Sequence, residues 1–376
     1  MGLPRSKYVQ EGQEGVYHCF SRCVRRAFLC GFDPLTHRDF SHRKAWLIDR
    51  LRYLASFFAI DVCAHAVMEN HYHAILRTRP DIVDTWSDYE VGRRWLTLCP
   101  RYGAPRNTSS PPKEKEIRAL ADWPECIAKL RRRLCSLSWF MGRLNEFISR
   151  AANKEDRVKG RFWESRFKCQ ALLDEAAIAS CMVYVDLNPI RAGSAGTPEE
   201  SNFTSIQERI RAWQKKTMTT TSDPSQATQD IPSDCLGRDP QMPDKTGDIS
   251  GTISQHILSM TDSSESEIPF SCWLCPIRLD SKRRGILQMT TIEYFKLVDR
   301  SARMLRLDKR GAMDADLMPI MQRLGVNPHA WVETVSYFGT GFRLAAGSFS
   351  NMAHFAKRLG RQWLKGMVMA RAAFAT

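Results

Sequence analysis

Apolar residues recur along the first half of the chain with two different spacings, and their alternation predicts a series of strands and helices. Runs of alternating, β-branched or aromatic residues predict strands over residues 16–24, 60–78 and about 160–172. Apolar residues at helical spacing predict helices over residues 41–58, 130–151 and 175–187, the last with Asp174 as its N-cap. The order β-α-β-β-α-β-α is typical of an α+β fold, here a ferredoxin-like antiparallel sheet with helices on one face.

The rest of the chain falls into three parts of different composition. Residues 80–128 carry several prolines among charged residues, which predicts an irregular insertion. Residues 196–269 are polar and poor in aromatic residues, as expected of a flexible linker. Apolar periodicity returns over residues 270–376, which predicts a small, mainly helical C-terminal region of unknown role, with a turn at residues 339–341.

The hairpin predicted within residues 60–78 presents two histidines side by side. Glu69-Asn70 fits a tight turn because asparagine tolerates left-handed backbone geometry, and the returning strand then starts at His71. His71 and His73 are separated by one residue, so on a strand both side chains project from the same face. Two adjacent imidazoles are suited to hold one divalent metal ion.

Tyr184 and Asn188 supply a second pair of candidate groups. They lie four residues apart and therefore share one face of a helix. Asn188 stands at the frayed end of the helix predicted over residues 175–187, because the following Pro189 disfavours helical geometry before it. A tyrosine hydroxyl and an amide oxygen, combined with two imidazoles, predict a metal site at which the tyrosine attacks a phosphodiester bond.

Each of these residues also has a purely structural interpretation. The histidine pair could be two polar residues on a half-buried strand, since an HxH triplet also arises by chance. Tyr184 could be a core aromatic residue, and Asn188 could be a helix-end cap. His65, on the first strand of the hairpin, is predicted to be structural, as is His18, although His18 could approach the cleft.

The net charge of +14 and the pI near 9.4 favour a polyanionic partner. Much of the charge is carried by arginine, whose forked guanidinium group suits phosphate. The arginines that stand out are Arg22, Arg25, Arg26, Arg131, Arg132, Arg133, Arg157, Arg161 and Arg166. Aromatic residues lie among them and could stack on unpaired bases, although most of these rings are predicted to be core.

Composition also excludes several classes of protein. No apolar run approaches the ~20 residues of a membrane span and no signal-peptide pattern opens the chain, so a cytoplasmic, nucleoid-associated protein is expected. The 12 cysteines are scattered. Only Cys272 and Cys275 have metal-like spacing, and no two further ligands cluster near them. Reduced thiols are therefore expected rather than disulfides or a zinc knuckle.

Three segments in sequence order resemble the single-tyrosine HUH transposases, and among them the REP-associated branch. These segments are residues 67–73 (VMENHYH), 160–167 (GRFWESRF) and 184–193 (YVDLNPIRAG). The resemblance spans roughly residues 15–195, which makes residues 1–195 the candidate catalytic domain, and residues 196–376 carry no resemblance. Glu69 stands where the family usually has proline and Tyr72 where it usually has an aliphatic residue, and neither is a predicted ligand.

The resemblance implies a metal-dependent single-stranded DNA endonuclease and strand transferase, a transposase that cleaves near hairpin sequences through a 5′-phosphotyrosine intermediate. By position, Tyr184 is the nucleophile, and His71, His73 and Asn188 are the ligands of Mg²⁺ or Mn²⁺. The candidate DNA contacts are Arg22, Arg25, Arg161, Arg166 and Arg191. No nucleotide cofactor and no membrane partner are expected, and the protein would act as a monomer or a homodimer.

Two rival functions are compatible with the same residues. A rolling-circle replication initiator or relaxase-like nickase would use the same chemistry in another biological setting. A regulator that binds hairpin DNA at an inactive site would form no covalent adduct.

Overall fold

The computed structural model describes residues 3–24, 30–33, 37–99, 111–222, 273–280, 284–305 and 318–374. The strands are β1 (Gly15–Arg22), β2 (Phe32–Asp33), β3 (Arg38–Asp39), β4 (Ile60–Val67), β5 (His71–Thr78), β6 (Lys168–Leu172) and β7 (Ala345–Ala346). The helices are α1 (Arg43–Phe57), α2 (Pro80–Val83), α3 (Asp88–Leu98), α4 (Glu114–Ala121), α5 (Pro124–Leu134), α6 (Leu137–Glu155), α7 (Glu175–Asp186), α8 (Asn188–Arg191), α9 (Ser205–Ser222), α10 (Thr291–Leu305), α11 (Met318–Arg323), α12 (Pro328–Gly341), α13 (Phe349–Arg358) and α14 (Met367–Ala373).

The main sheet has five strands in the order β4-β5-β1-β6-β7. Neighbours among the first four strands are antiparallel, and β7 joins β6 in parallel. Chain order and strand order together give the β-α-β-β-α-β arrangement of a ferredoxin-like sheet, because β1 lies between β5 and β6. The predicted α+β fold is confirmed.

Helices cover both faces of this sheet. α1 packs on α6, and α6 lies on the face towards which Tyr72 points, since the Tyr72 hydroxyl donates to Asn145 Oδ1 at 2.6 Å. These two helices lie on one face, as predicted, but the third predicted helix does not. α7 lies on the opposite face, where the ring of its Tyr184 contacts that of His73.

The position of α7 follows from its composition. Its first residue is capped by Asp174, whose carboxylate accepts from the backbone N–H of Ala177 at 3.0 Å, as the sequence predicted. Every residue from Ala176 to Asp186 is buried. A helix that is apolar on all sides requires partners on all sides. The sheet covers one side of α7, and α10 and α12 of the C-terminal region pack against it as well.

Two sequence predictions within residues 80–151 are wrong. The segment 80–128 is largely helical where the structure describes it, because α3, α4 and α5 pack together through buried Val91, Ile117 and Ile127. The single helix predicted over residues 130–151 is two helices, α5 and α6, which meet at residues 135–136.

The strand predicted to open near residue 160 is shorter than expected. Only Lys168–Leu172 forms β6, and before it Trp163 makes an isolated bridge to Cys23. The Trp163 indole N–H donates to the backbone carbonyl of Asn145 at 2.8 Å, which ties this segment to α6. The segment 160–167 therefore runs beside the end of β1 without extending β6.

The predicted linker begins later than residue 196. α9 occupies Ser205–Ser222, and its Ile206, Ile210 and Trp213 are buried at helical spacing. The remainder of the predicted linker, residues 223–269, lies outside the described residues.

The C-terminal region is mainly helical where it is described, as predicted, and it packs on the first half of the chain. β7 extends the main sheet beyond β6. Residues 339–341 belong to the last turn of α12, so the turn predicted there is wrong. None of the helices in the described part of the chain is long and apolar enough to cross a membrane.

Candidate active site

β5 presents its two histidines beside the end of β1. The antiparallel register pairs Phe20 with His73 and Arg22 with His71, so these four side chains share one face of the sheet. The imidazole rings of His71 and His73 have centroids 5.0 Å apart and planes at 84°. The strand places the two imidazoles side by side, as their spacing predicted.

A chain of hydrogen-bonded side chains runs behind His73. The Nε2 atom of His18 lies 2.9 Å from Nδ1 of His73, and Nδ1 of His18 lies 3.3 Å from Oε1 of Gln170. All three side chains are buried. His73 Nε2 is buried without a hydrogen-bond partner among the described residues. In His71, Nδ1 lies 2.6 Å from Oδ1 of Asn70.

α7 brings Tyr184 against this pair of imidazoles. Its ring meets the His73 ring edge-on, with centroids 5.6 Å apart. The Arg191 guanidinium lies 4.8 Å from the centroid of the Tyr184 ring. Burial raises the pKa of Tyr184 above its ordinary value, and the charge and hydrogen bond of Arg191 oppose that increase. The tyrosine is therefore protonated at neutral pH and has a cation beside it that favours the phenolate.

Helix α12 of the C-terminal region packs on the same tyrosine. The ring of Phe338 lies 5.9 Å from the Tyr184 ring, and a Cβ on Gly339 would collide with the Tyr184 hydroxyl. Arg191 also donates to the backbone carbonyl of Ser336 on this helix. Residues more than 140 positions away in sequence thus form one wall of the candidate site.

The end of α7 is held by a buried carboxylate. Asp186 Oδ1 accepts from Ser205 Oγ at 2.5 Å and from the backbone N–H of Ile206 at 3.1 Å. Its Oδ2 accepts from the Tyr294 hydroxyl at 2.6 Å. These bonds connect the helix that carries Tyr184 to both α9 and α10. They fix the position of the tyrosine along the sheet face.

Asn188 begins α8 directly after Leu187. Its Nδ2 donates to the backbone carbonyl of Tyr184 at 3.0 Å. The side chain therefore caps the end of α7, and the same bond leaves the carbonyl oxygen Oδ1 of the amide for another partner.

The donor set of the site fits a divalent metal ion. Burial lowers the pKa of His71 to about 4 and that of His73 well below its ordinary value, so both imidazoles are neutral at pH 7 and able to ligate. Among the described residues, no group of three or more His, Cys, Asp and Glu is arranged to hold a metal. The candidate set is instead two imidazoles and the amide oxygen of Asn188, with other positions left to water and substrate. His73 Nε2 is buried and has no hydrogen-bond partner among the described residues, so its lone pair is available to a ligand.

One exposed cation lies beside the histidines at the end of the sheet. Arg22 lies opposite His71 at the end of β1, and the backbone N–H of Glu164 donates to the carbonyl of Arg22. The predicted DNA contacts Arg22, Arg161, Arg166 and Arg191 are exposed. Arg25 lies outside the described residues.

No protein-family model matches the chain. No curated protein matches it either. One solved structure that is similar is a REP-associated tyrosine transposase bound to a REP hairpin, with 12% sequence identity and a TM-score of 0.29. The match covers 64% of this chain and 100% of that chain. At this similarity the residue roles in the present chain have to come from its own geometry.

Sequence reasoning missed three contributors to the site. Gln170 and Lys168 lie on β6, and Lys168 Nζ lies 5.7 Å from the ring centroid of Phe20, on the histidine face. Their spacing on a strand shows that Lys168 and Gln170 share one face. It does not show that β6 pairs with β1, which brings that face to the histidines. Gly339 gave no signal at all, because its role depends on α12 reaching Tyr184. His18, for which an approach to the cleft was left open, does reach it.

The remaining histidine and cysteine candidates lie elsewhere. His65 is buried, and its ring lies 5.3 Å from that of Trp273. Cys275 Sγ donates to the backbone carbonyl of Arg284 at 3.2 Å, and Cys272 lies outside the described residues. None of the cysteines among the described residues forms a disulfide bond.

Buried neutral histidines predict that the metal-free protein loses stability in mild acid. Burial lowers the pKa of His18 to about 4 and that of His65 to about 3. The unfolded chain, with histidine pKa values near ~6.5, takes up these protons first as the pH falls. The stabilisation is complete above the unfolded pKa and is lost as the pH falls towards the folded pKa. Each imidazole should account for a few kcal/mol, at about 1.4 kcal/mol per pKa unit.

Urea unfolding between pH 7 and pH 4.5 measures this effect. The free energy of unfolding should fall steadily below about pH 6.5. The variant His329→Gln, at an exposed position, should follow the wild-type curve. A free energy of unfolding that stays constant from pH 7 to pH 5 would contradict the burial of these neutral imidazoles.

Proposed function

We propose that this protein is a divalent-metal-dependent single-stranded DNA endonuclease and strand transferase that cleaves beside DNA hairpins through a 5′-phosphotyrosine intermediate. The observation that carries the proposal is the contact between Tyr184 and the His71–His73 pair. A tyrosine and two neutral imidazoles from separate elements meet on one sheet face. The imidazole that touches the tyrosine has a buried nitrogen with no hydrogen-bond partner in the described part of the chain.

Tyr184 is the nucleophile in this proposal. Its hydroxyl oxygen attacks the phosphorus atom of a DNA phosphodiester, an Oη–P bond forms and the P–O3′ bond breaks. The proton of the phenol ends on the leaving 3′ oxygen, so the products are a 5′-phosphotyrosine and a free 3′-OH. Because one ester replaces another, the reaction is reversible and can rejoin strands without a nucleotide cofactor.

Arg191 assists the tyrosine by its charge. Its guanidinium lies over the Tyr184 ring, and its positive charge acts to lower the pKa of the Tyr184 hydroxyl. A cation in this place stabilises the phenolate that attack requires, against the opposing effect of burial. Arg191 is exposed and so is also accessible to a DNA phosphate.

His71, His73 and Asn188 are the residues that would hold the metal ion. When bound, Mg²⁺ or Mn²⁺ supplies Lewis-acid polarisation of the phosphate oxygens. The two histidines contribute neutral Nε2 atoms, and Asn188 contributes Oδ1. A neutral ligand set of this size leaves the charge of the ion available to the substrate.

The basic rim consists of Arg22, Arg161, Arg166, Lys168 and Arg191, and it would grip the DNA backbone. All five side chains are exposed. Exposed arginine and lysine side chains bind phosphates without reading sequence. Phe20, partly exposed beside His73, offers a ring for an unpaired base. Together they favour a flexible single strand, whose bases and phosphates are both accessible.

Cleavage should be faster on a single strand flanking a hairpin than on a duplex of the same sequence. A labelled oligonucleotide with a stem-loop and single-stranded flank, incubated with Mn²⁺ and separated on a denaturing gel, provides the measurement. Apparent affinity should also fall with salt, with a slope of about 0.7 per phosphate contact on single strands. The fully paired duplex is the control substrate. Equal cleavage of the two substrates, or hairpin binding with no cleaved product, would contradict the proposal.

Gly339 should be intolerant of any side chain. A Cβ at this position collides with the Tyr184 hydroxyl, so Gly339→Ala has to displace either the tyrosine or α12. We expect adduct formation to slow by about tenfold or more, since small displacements of reacting groups have large effects on rate. Gly142→Ala, in α6 with no atom within 4 Å of the added carbon, is the matched control. Equal rates for the two variants would show that α12 does not position the tyrosine.

A further inference from the structure

Three buried side chains from three neighbouring strands form one hydrogen-bonded chain. Gln170 of β6, His18 of β1 and His73 of β5 are 3%, 1% and 4% exposed, respectively. The rings of His18 and His73 lie nearly parallel, with centroids 5.1 Å apart and planes at 22°. Each of these side chains puts a polar group where water is excluded.

The direction of each hydrogen bond follows from the atoms involved. Oε1 of Gln170 only accepts, so Nδ1 of His18 carries a proton and donates to it. A neutral imidazole has one proton, so Nε2 of His18 is an acceptor. Nδ1 of His73, 2.9 Å away, must then be the donor. The proton of His73 is therefore on Nδ1, and Nε2 keeps a lone pair.

The opposite direction of the hydrogen bonds between His73, His18 and Gln170 is disfavoured. If His18 donated from Nε2, His73 would carry its proton on Nε2, as a buried N–H donor without an acceptor among the described residues. A doubly protonated His18 would place a charge among Gln170, His73, Phe20 and Tyr184, which carry no negative group at neutral pH.

The tautomer of His71 is fixed in the same way, by a hydrogen bond to a different residue. Oδ1 of Asn70 lies 2.6 Å from Nδ1 of His71 and accepts a hydrogen bond from its N–H. Nε2 of His71 therefore also keeps a lone pair. The two neighbouring histidines have the same tautomer, although their partners come from different parts of the chain.

We infer that Gln170 and His18 are positioning residues that fix the tautomer of His73, so that its Nε2 is held ready for a metal ion. This inference rests on the proposed function for the identity of the bound group. Metal-bound histidines commonly donate their other ring N–H to a partner that fixes the tautomer and orientation. Here the partner is a second imidazole, and its own tautomer is set by an amide.

Gln170→Leu and Gln170→Glu separate this role from a packing role. Leucine removes the acceptor and leaves His18 free to adopt either tautomer, whereas glutamate keeps an acceptor in a side chain of similar size. Long-range ¹H–¹⁵N spectra of the metal-free protein report the tautomer of each histidine. Wild type and Gln170→Glu should show His73 protonated on Nδ1, and Gln170→Leu should show a mixture. His65, outside the chain of bonds, is the internal control.

Mn²⁺ binding, measured by electron paramagnetic resonance, gives the second readout. The dissociation constant should increase about 10–100-fold in Gln170→Leu and His18→Leu, the usual effect of losing such a partner. Gln170→Glu should bind within a few-fold of wild type. Wild-type His73 protonated on Nε2, or Gln170→Leu binding Mn²⁺ as wild type does, would overturn the inference. If wild type shows the Nδ1-protonated tautomer yet binds no Mn²⁺, the proposed function fails while the tautomer assignment stands.

Discussion

Replacing Tyr184 with phenylalanine is expected to abolish the covalent protein–DNA adduct and leave DNA binding within about twofold of wild type. The change removes one oxygen atom from a ring that keeps its contacts with His73 and Phe338. Without the hydroxyl no Oη–P bond can form. The adduct is measured on a denaturing gel after incubation with a labelled hairpin oligonucleotide and Mn²⁺, and binding is measured by fluorescence anisotropy.

Tyr337→Phe is the matched control for this variant. Tyr337 lies on α12 beside Phe338, and its side chain is 58% exposed. It should form the adduct at the wild-type rate. If Tyr184→Phe still cleaved single-stranded DNA at the wild-type rate, another group would be the nucleophile.

The second large effect is expected at the histidine pair. His71→Ala or His73→Ala should reduce cleavage by more than the ~10–100-fold typical of losing an outer partner of a metal ligand. A single imidazole with an amide oxygen holds Mg²⁺ or Mn²⁺ only weakly. Higher Mn²⁺ concentrations should restore part of the activity, because these variants lose more of their affinity for the metal than of the rate of the chemical step. Cleavage rates measured against Mn²⁺ concentration test this for each variant.

Asn188→Ala should be less damaging than either histidine variant, since water can replace a neutral amide oxygen. The exposed His329→Ala is the control and should match wild type at every metal concentration. Asn188→Ala matching wild type throughout the titration would leave Asn188 as a helix cap alone, consistent with its bond to the Tyr184 carbonyl. Full activity of His73→Ala without added metal would contradict the assigned metal site.

The parts of the fold that the sequence predicted well are those with local signals. The hairpin of β4 and β5 has an Asn-containing turn after a run of small and β-branched residues, and α7 has an aspartate cap before an apolar run. The shared face of His71 and His73 follows from the alternation of side chains on a strand alone. These features depend on residues within a few positions of one another.

Two of the wrong predictions concern segments in which the overall composition hid helices. The prediction of irregular structure in residues 80–128 rested on the prolines at positions 100, 105, 111 and 112. Pro111 and Pro112 stand just before α4, and the segment's other prolines, Pro80 and Pro124, stand at the first turn of a helix, where proline is tolerated. In α9, the buried Ile206 and Trp213 precede a polar stretch. The polar average of residues 196–269 hid this short helical pattern.

The candidate site itself could be predicted only in part. His71, His73 and Tyr184 were found from spacing and resemblance, whereas the residues that orient them were not. The contact of His18 with His73 depends on the pairing of β1 and β5. The packing of Gly339 on Tyr184 joins residues 155 positions apart. Such contacts depend on tertiary structure, and the periodicity of a single sequence does not reveal them.

Mass spectrometry of the covalent product tests the central claim most directly. Wild-type protein incubated with Mn²⁺ and a hairpin oligonucleotide carrying a single-stranded flank is digested with nuclease and protease, and the modified peptide is sequenced. The account predicts a nucleotide joined through its 5′-phosphate to Tyr184, with the other DNA fragment ending in a 3′-OH. A wild-type protein that binds the hairpin but carries no nucleotide, or carries it on a residue other than Tyr184, would contradict the account.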